Sequence, residues 1–191
     1  MLEAGFADPV HEAQATFRAL LEATARPGTI LALPKPQAPL PLPPAAGAIA
    51  LTLCDSDTPV WLAPPLASEA VRSWLRFHAG SPLVDNPGKA AFAFAVGMDV
   101  PFGDLAAGTD EAPERSATLV LGVDGFGRGA ALHLSGPGVA KETTLHVAGL
   151  APGFIAWRAR NHALYPRGVD VILVAGREAA ALPRTTSIRE G

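Results

Sequence analysis

The chain has 191 residues, a formal net charge of -3 and 49% hydrophobic residues, which together predict a single folded domain over residues 1–191. The slight negative charge provides no positive field for a nucleic-acid backbone and argues against non-specific DNA or RNA binding. The single cysteine, Cys54, excludes an internal disulfide and a multi-cysteine metal site, which is typical of a reducing compartment. Because no apolar run approaches the roughly 20 residues of a membrane helix, we expect a cytoplasmic protein without a membrane partner.

The first helix is predicted to begin at Asp8, whose side chain can cap free backbone N–H groups while Pro9 takes the first helical position. Pro27-Gly28 is expected to end this helix and to lead into a strand over 29–33. Residues 34–44, which hold six prolines, are predicted to form an extended surface connection. The helix should present one apolar face, formed by Val10, Ala13, Phe17, Leu20 and Leu21.

The rest of the chain alternates predicted helices and strands. A helix is expected over 45–53, and another begins after the N-cap Ser68 and stops at Gly80. Strands over 117–123 and 129–134 flank a turn at 124–128 and are predicted to pair antiparallel as a hairpin. The remaining predicted elements are strands over 58–62, 91–96 and 169–174, the last continuing past 175–177 into 180–182, and a helix over 152–164. Helices interleaved with strands and hairpins predict an α/β sandwich with a mixed sheet.

The sequence lacks the motifs of the common nucleotide-hydrolysing enzymes, serine hydrolases and zinc proteases. The sequence has no P-loop, no G-x-S-x-G serine elbow and no H-E-x-x-H helix. The five histidines lack the paired spacing of metal ligands, so no metal site is expected. Gly125–Gly129 lies between two predicted strands and is interpreted as a turn, not a phosphate loop. Gly136-Pro137-Gly138 is compatible with a tight chain reversal or with anion binding through exposed backbone N–H groups.

Two groups of polar residues at element boundaries remain as candidate sites. Asp55, Asp57 and Thr58 are predicted to organise a structural turn, with the acids accepting backbone N–H bonds. The second group is a candidate for anion binding or for an interface, and it comprises Arg76, His78, Arg115, Arg167 and Arg184. Pro183-Arg184-Thr185-Thr186 is expected to be tied down, with Arg167 and Asp170 as neighbours of Arg184. No residue is assigned a catalytic role.

Six ordered blocks carry a resemblance to a known family. The sequence resembles the H subunit of the bacterial carbon-phosphorus lyase core complex, the PhnH family, over nearly its whole length. The most specific blocks are Phe6 with Asp8-Pro9-Val10, Asp57-Thr58-Pro59-Val60-Trp61-Leu62, Leu75-Arg76-Phe77-His78, Ser116-Ala117-Thr118-Leu119, Leu134-Ser135-Gly136-Pro137-Gly138-Val139, and Pro166-Arg167-Gly168-Val169-Asp170 with Leu182-Pro183-Arg184-Thr185-Thr186.

The resemblance implies a three-layer α/β/α sandwich, similar to a truncated pyridoxal-phosphate transferase fold without the cofactor site. The lysines agree with that loss, because a Schiff-base lysine must be poised in a pocket. Lys35 lies in the proline-rich connection and Lys89 in a predicted turn, so only Lys141 is conceivable in that role. No cofactor is therefore expected.

The resemblance also implies a function and partners. Members work with the G, I and L subunits when the ribose 5-triphosphate of ATP is transferred to an alkylphosphonate and adenine is released. They sit in a core complex with the G, I and J subunits, and we expect a homodimer when the chain is isolated. Two classes stay open, which are an assembly subunit without its own active site and a subunit that contributes a nucleotide- or phosphonate-binding surface. The isolated chain is expected to have no activity.

Overall fold

The structure, a computed structural model, describes residues 4–97 and 99–191 and is a mixed α/β fold. Four α-helices occur in these residues, namely α1 (Pro9–Ala25), α2 (Pro44–Leu53), α3 (Glu69–His78) and α4 (Phe154–His162). The strands are β1 (Leu31–Ala32), β2 (Val60–Leu62), β3 (Phe92–Val96), β4 (Thr118–Gly122), β5 (Gly125–Ser135), β6 (Thr143–Ala148), β7 (Asp170–Ala175), β8 (Glu178–Leu182) and β9 (Ser187–Glu190). Within the same residues, no helix is long and apolar enough to cross a membrane.

A six-stranded mixed sheet forms the centre of the fold, which confirms the predicted sheet type. Its strand order is β1-β8-β7-β4-β3-β2, with β2, β3, β4 and β7 parallel to one another. The chain reverses at Gly176, so β7 and β8 are two antiparallel strands and not one continued strand. Strand β1 pairs antiparallel with β8 through Leu31 and Ala179. A smaller antiparallel sheet has the order β6-β5-β9.

Each face of the central sheet is covered by a different layer. One hydrophobic cluster joins α1, α2 and α3 to the sheet through side chains such as Val60, Phe94 and Ile172. The other cluster joins α4 and the small sheet to the opposite face through Trp61, Leu121 and Leu173. The alternation along strands places these two sets on opposite faces. The second outer layer is therefore part helix and part sheet, whereas helices alone were expected there.

The hairpin predicted around 124–128 is wrong. Strand β4 lies inside the central sheet between β3 and β7, while β5 belongs to the small sheet. The change of sheet occurs in one step, because the Val123 N–H donates to Val174 O at 2.9 Å and the Asp124 N–H donates to Ala148 O at 2.8 Å. Residues Leu119 to Leu121 are buried on both faces of the sheet, which is the pattern of a central parallel strand and not of half a hairpin.

Helix α1 begins as predicted but buries only part of the predicted apolar face, namely Leu20 and part of Ala13. The Asp8 carboxylate accepts from the His11 backbone N–H at 3.1 Å, and Pro9 takes the first position. The buried residues are Thr16, Leu20 and Ala23. Three members of the predicted apolar face are exposed instead, and they are Val10, Phe17 and Leu21. Thr16 can occupy the core because its hydroxyl donates to Glu12 O at 2.8 Å within the helix.

The proline-rich connection over 34–44 is anchored to the core at its end. Leu42 is buried, and Pro44 already forms the first residue of α2. Cys54 follows α2 as its C-cap and is buried, so it packs as a small apolar side chain. Burial raises the pKa of the Cys54 thiol to about 12, with a further contribution from the charge of Asp55.

The Gly136–Gly138 turn packs against the end of α1. Gly138 has a φ of +81°, and a Cβ at this position would meet the carbonyl oxygen of Ala25 and the ring of Pro27. Gly127 has a nearly equal φ of +78°, but a Cβ there would meet nothing within 4 Å. The close approach to the end of α1 explains why a glycine is required at 138.

These two glycines give a matched test of the close approach. Gly127→Ala is expected to cost about 1 kcal/mol of unfolding free energy, because it adds only the strain of a left-handed backbone. Gly138→Ala should cost roughly 2 kcal/mol more, because the new methyl group also forces α1 and the turn apart. Urea denaturation measures both variants, and equal losses would show that the turn does not press on α1.

Candidate functional site

The turn between α2 and β2 is organised by Asp55. Its Oδ1 atom accepts from the backbone N–H of Asp57 at 3.0 Å and from the hydroxyl of Thr58 at 2.7 Å. These two hydrogen bonds, the hydroxyl first, lower the pKa of Asp55 below its ordinary value. Asp57 contributes its backbone amide to the turn. The arrangement is an Asx turn that leads the chain into the buried strand β2.

Arg76 and His78 lie in the last turn of α3, which packs against α2. Arg76 is exposed, and its Nη1 atom lies 3.9 Å from Glu69 Oε1 on the same helix. The His78 ring packs against Trp74, with ring centroids 5.1 Å apart, and against Phe77 at 4.9 Å. These two candidates therefore belong to the helical layer and are separate from the other three arginines in the fold.

Arg115, Arg167 and Arg184 lie in three segments that meet at one place. Pro113–Arg115 forms a short 3-10 turn before β4, Arg167 precedes β7, and Arg184 follows β8. Because β7 lies between β4 and β8 in the central sheet, the ends of these strands are neighbours. The meeting point is Arg184, whose guanidinium bonds to both of the other segments through Pro113 O and Pro166 O.

The Arg184 cluster consists of Arg184, Asp170, Ser116 and Pro113. The Arg184 Nη2 atom donates to Asp170 Oδ2 at 2.5 Å and to Ser116 Oγ at 2.6 Å. Its Nε atom donates to Asp170 at 3.2 Å, and Nη1 donates to Pro113 O at 2.9 Å. The backbone N–H of Arg184 also donates to Asp170 Oδ1 at 2.7 Å. All three guanidinium nitrogens of Arg184 therefore donate hydrogen bonds to acceptors within the chain.

Arg158 is a fully buried arginine next to this cluster, and the sequence analysis missed it. Its side chain is 1% exposed and donates to three carbonyl oxygens, those of Val169, Pro183 and Thr186. Burial lowers the pKa of Arg158 to about 10, while the charge of Asp170 acts in the opposite direction. The guanidinium remains charged at neutral pH. Arg158 thus holds the turn after β8 against α4.

A helical spacing in the sequence could have identified Arg158. The buried residues of α4 are Phe154, Trp157, Arg158 and Asn161, which follow one another at intervals of three, one and three. This spacing forms a single face of a helix. An arginine on a face with two aromatic residues must find buried acceptors. Asn161 on the same face donates to Val169 O at 2.9 Å and accepts from the Val169 N–H at 2.7 Å.

Arg167 and Arg115 do not share the acceptors of Arg184. The Arg167 Nε atom lies 2.9 Å from Asp110 Oδ1, in an ion pair on the protein surface. Arg115 is exposed at the end of its 3-10 turn. Although the three segments meet, Arg184 is directed at Asp170 and Arg167 at Asp110. Arg184 therefore links neighbouring segments of the chain, and each of these two arginines pairs with its own carboxylate.

The side chains suited to a cofactor or metal do not gather into one site in the part of the chain that the structure describes. Lys35, Lys89 and Lys141 are all exposed, in a loop, at the end of a 3-10 turn and at a bend. Among residues 4–97 and 99–191, no group of three or more His, Cys, Asp or Glu side chains could hold a metal ion.

An apolar groove lies beside the Arg184 cluster on the helical side of the sheet. Its volume is about 230 Å³. Phe17 and Leu21 of α1 form one wall, Leu53 marks the end of α2, and Phe92 and Ile172 belong to the sheet. Asp170 reaches the groove, but its carboxylate is already bound to Arg184. The groove is therefore suited to apolar side chains and not to a charged small molecule.

Removing Arg184 is expected to destabilise the protein in the absence of any ligand. Arg184→Ala leaves Asp170, Ser116 and Pro113 O without their shared partner in a site where the arginine side chain is 16% exposed. We expect a loss of about 3 kcal/mol in the free energy of unfolding, measured by urea denaturation. The control is Arg76→Ala, which removes an exposed and distant ion pair and should cost less than about 0.5 kcal/mol. Similar losses for both variants would contradict the structural role of Arg184.

The Asp55 turn should respond to pH in a defined direction. The folded-state pKa of Asp55 lies below the ordinary value of 3.8, so its stabilising effect is present above that value and is lost as the pH falls through the lower one. Asp55→Ala should therefore lower the melting temperature at pH 7, and the difference from the wild type should shrink on acidification below 3.8. Asp57→Ala is the control, because it keeps both hydrogen bonds to Asp55. A difference that is constant with pH would contradict this assignment.

The comparisons with known proteins agree along nearly the whole chain. A family described as "Bacterial phosphonate metabolism protein (PhnH)" matches residues 4–189. The chain is 45% identical over 186 residues to the alpha-D-ribose 1-methylphosphonate 5-triphosphate synthase subunit PhnH of Rhizobium meliloti (strain 1021), covering 96% of this chain and 93% of that relative. It is 36% identical over 176 residues to the putative C-P lyase subunit protein HtxG of Stutzerimonas stutzeri, covering 92% of this chain and 85% of that relative. The chain therefore belongs to the PhnH family of bacterial phosphonate metabolism proteins.

Proposed function

We propose that this chain is a subunit of the carbon-phosphorus lyase core complex in the breakdown of organophosphonates. In this role it takes part, with the G, I and L subunits, in the transfer of ribose 5-triphosphate from ATP to an alkylphosphonate with release of adenine. The observation that carries the proposal is the 45% identity to the synthase subunit, which extends over 93% of that relative. A match of this extent aligns the two chains as whole subunits and not as a shared fragment.

Within the complex we assign the chain the role of an assembly subunit without its own active site. The support is the use that the chain makes of its candidate anion-binding residues. Arg184 directs its guanidinium at Asp170, Ser116 and Pro113 O, while Arg167 faces Asp110. A phosphate site needs several guanidinium groups free to converge on one ligand. Arg184 could supply such a guanidinium group only by losing its hydrogen bonds to Asp170, Ser116 and Pro113 O.

The proposed partners are the G, I and J subunits in the core complex, with a functional link to the L subunit. When isolated, the chain forms a homodimer, and the location of the complex is the cytoplasm. The similarity of the fold to a truncated pyridoxal-phosphate transferase sandwich without a cofactor site stays a prediction. The exposed positions of the three lysines support the loss of that site, because a Schiff-base lysine needs a sheltered pocket.

Reconstitution tests the proposed function directly. We expect the purified chain alone to release no adenine from ATP in the presence of methylphosphonate. The G, I and L subunits should form the ribose triphosphate product only when this chain is added. Adenine release by the isolated chain would contradict the assembly role, and full activity without the chain would contradict its membership of the complex.

A variant pair separates assembly from ligand binding. Arg115→Ala and Arg76→Ala remove exposed arginines that the fold does not require. Copurification of each variant with the G, I and J subunits measures assembly, and adenine release by the reconstituted mixture measures the reaction. The assembly role predicts that the two readouts change together. A variant that assembles normally but raises the KM for ATP or methylphosphonate would support the binding-surface alternative instead.

A further inference from the structure

Helix α1 presents an apolar flank next to its buried face. The flank consists of Val10, Phe17 and Leu21, residues that are 76%, 47% and 55% exposed. Their spacings of seven and four residues align them along one side of a helix. The buried residues Leu20 and Thr16 lie beside this line. Three large exposed apolar residues in one row are unusual on the surface of a monomer and indicate a contact surface.

The α1 flank borders the apolar groove, so one surface carries both projections and a recess. Phe17 and Leu21 form the wall of the groove, which continues over Leu53, Phe92 and Ile172. An interface with two-fold symmetry uses the same patch on both subunits, and the patch must therefore be complementary to itself. A row of exposed apolar side chains next to an apolar recess of about 230 Å³ meets this requirement.

The charges on α1 are also complementary under a two-fold axis. In an antiparallel pair of α1 helices that sets Phe17 opposite Leu21 of the second copy, the residues that follow these two lie on the same side of the contact. These residues are Arg18 and Glu22, and each is rotated about 100° from its apolar neighbour. Arg18 of each copy then faces Glu22 of the other, which gives two ion pairs per dimer.

The existing contacts of these two residues allow this exchange. Arg18 is exposed on the solvent side of the flank. Glu22 forms an ion pair with Arg26 at 3.0 Å, in which the two side chains are 45% and 70% exposed. An ion pair with that exposure is weak and is easily replaced by another.

We propose that a second copy of the chain binds to the α1 flank, with the two α1 helices antiparallel and Phe17 of each copy directed at the groove of the other. This inference rests on the proposed homodimer and specifies its interface. The other highly exposed apolar residues, such as Leu40 and Phe77, lie on separate elements and do not line the groove. The interface would complete the helical layer where α1, α2 and the sheet leave the groove open.

Sedimentation equilibrium of the full chain tests the apolar contact. We expect the wild type to be a dimer and Phe17→Glu to raise the dimer dissociation constant at least about 100-fold, because a charge would replace a central apolar anchor. Phe77→Glu is the matched control, since Phe77 is a more exposed phenylalanine on α3, and it should leave the dissociation constant unchanged. Circular dichroism melting of each variant verifies folding.

The outcomes distinguish the interface from the homodimer itself. A wild-type dimer that persists in Phe17→Glu would overturn the α1 interface and leave the homodimer standing. A wild-type chain that stays monomeric at a concentration about 100-fold above that of the reconstitution experiment would overturn both the α1 interface and the homodimer. A monomeric wild type whose binding to the G subunit is lost in Phe17→Glu would assign the flank to a different protein and overturn the proposal.

Charge exchange tests the antiparallel register. Arg18→Glu alone places like charges at both ion pairs, and so does Glu22→Arg alone, so each variant should raise the dissociation constant about tenfold. In an equimolar mixture the Arg18→Glu chain faces the Glu22→Arg chain with opposite charges at both pairs. The mixture should therefore form a heterodimer with wild-type affinity. Weak association of each variant without recovery in the mixture would overturn this register.

Discussion

The ion pair between Arg184 and Asp170 is the constraint on which the carboxyl-terminal half of the fold depends. Asp170 opens β7 in the central sheet, and Arg184 lies in the turn through which the chain leaves β8 for β9 in the small sheet. The same guanidinium reaches Ser116, just before β4. One side chain thus fixes the starts of two parallel strands and the exit to the second sheet, which sets how the two sheets lie on each other.

The electrostatics of this region explain how the charges of the partly buried pair are satisfied within the chain. Arg184 forms an ion pair with the Asp170 carboxylate, and the negative charge of Asp170 also acts on the neighbouring Arg158. Arg158 compensates its desolvation mainly through carbonyl oxygens, whereas Arg184 uses the carboxylate directly. A buried charge is tolerated when hydrogen bonds satisfy it from several sides. The neutral carbonyls of the turn after β8 therefore complete the pairing that a single acid cannot provide.

Local signals in the sequence predicted those parts of the fold that local chemistry determines. The caps at Asp8 and Ser68 and the apolar helix α2 follow from side-chain bonding and composition within a few residues. The assignment of β4 and β5 to different sheets could not be predicted from the turn residues alone. It depends on β7, which supplies the neighbour of β4 from a distant part of the chain.

The same distinction applies to the candidate site. The proximity of Arg184 to Asp170 could be predicted from the sequence, because the two residues flank strands that follow one another along the chain. The helical spacing of Arg158 with Phe154 and Trp157 could have indicated that it is buried, whereas its residue type is typical of the surface. The apolar groove could not be predicted from the sequence, because it depends on the rotation of α1 about its axis. This rotation buries Thr16 and leaves Phe17 exposed. Helix rotation is decided by packing against β8 and α2 and not by the helix itself.

The pairing of β1 with β8 has a consequence for how the chain folds during synthesis. Leu31 pairs with Ala179, and the amide of Ala45 at the start of α2 donates to Gly176 O at 2.9 Å. Strand β1 therefore has no partner strand until nearly all of the chain has left the ribosome, whereas β2, β3 and β4 can already pair with one another. Contacts between such distant residues slow folding and keep apolar surface in water for longer. The nascent chain consequently keeps the apolar residues between α1 and α2, such as Leu33, in water until β8 and the turn before it have been synthesised.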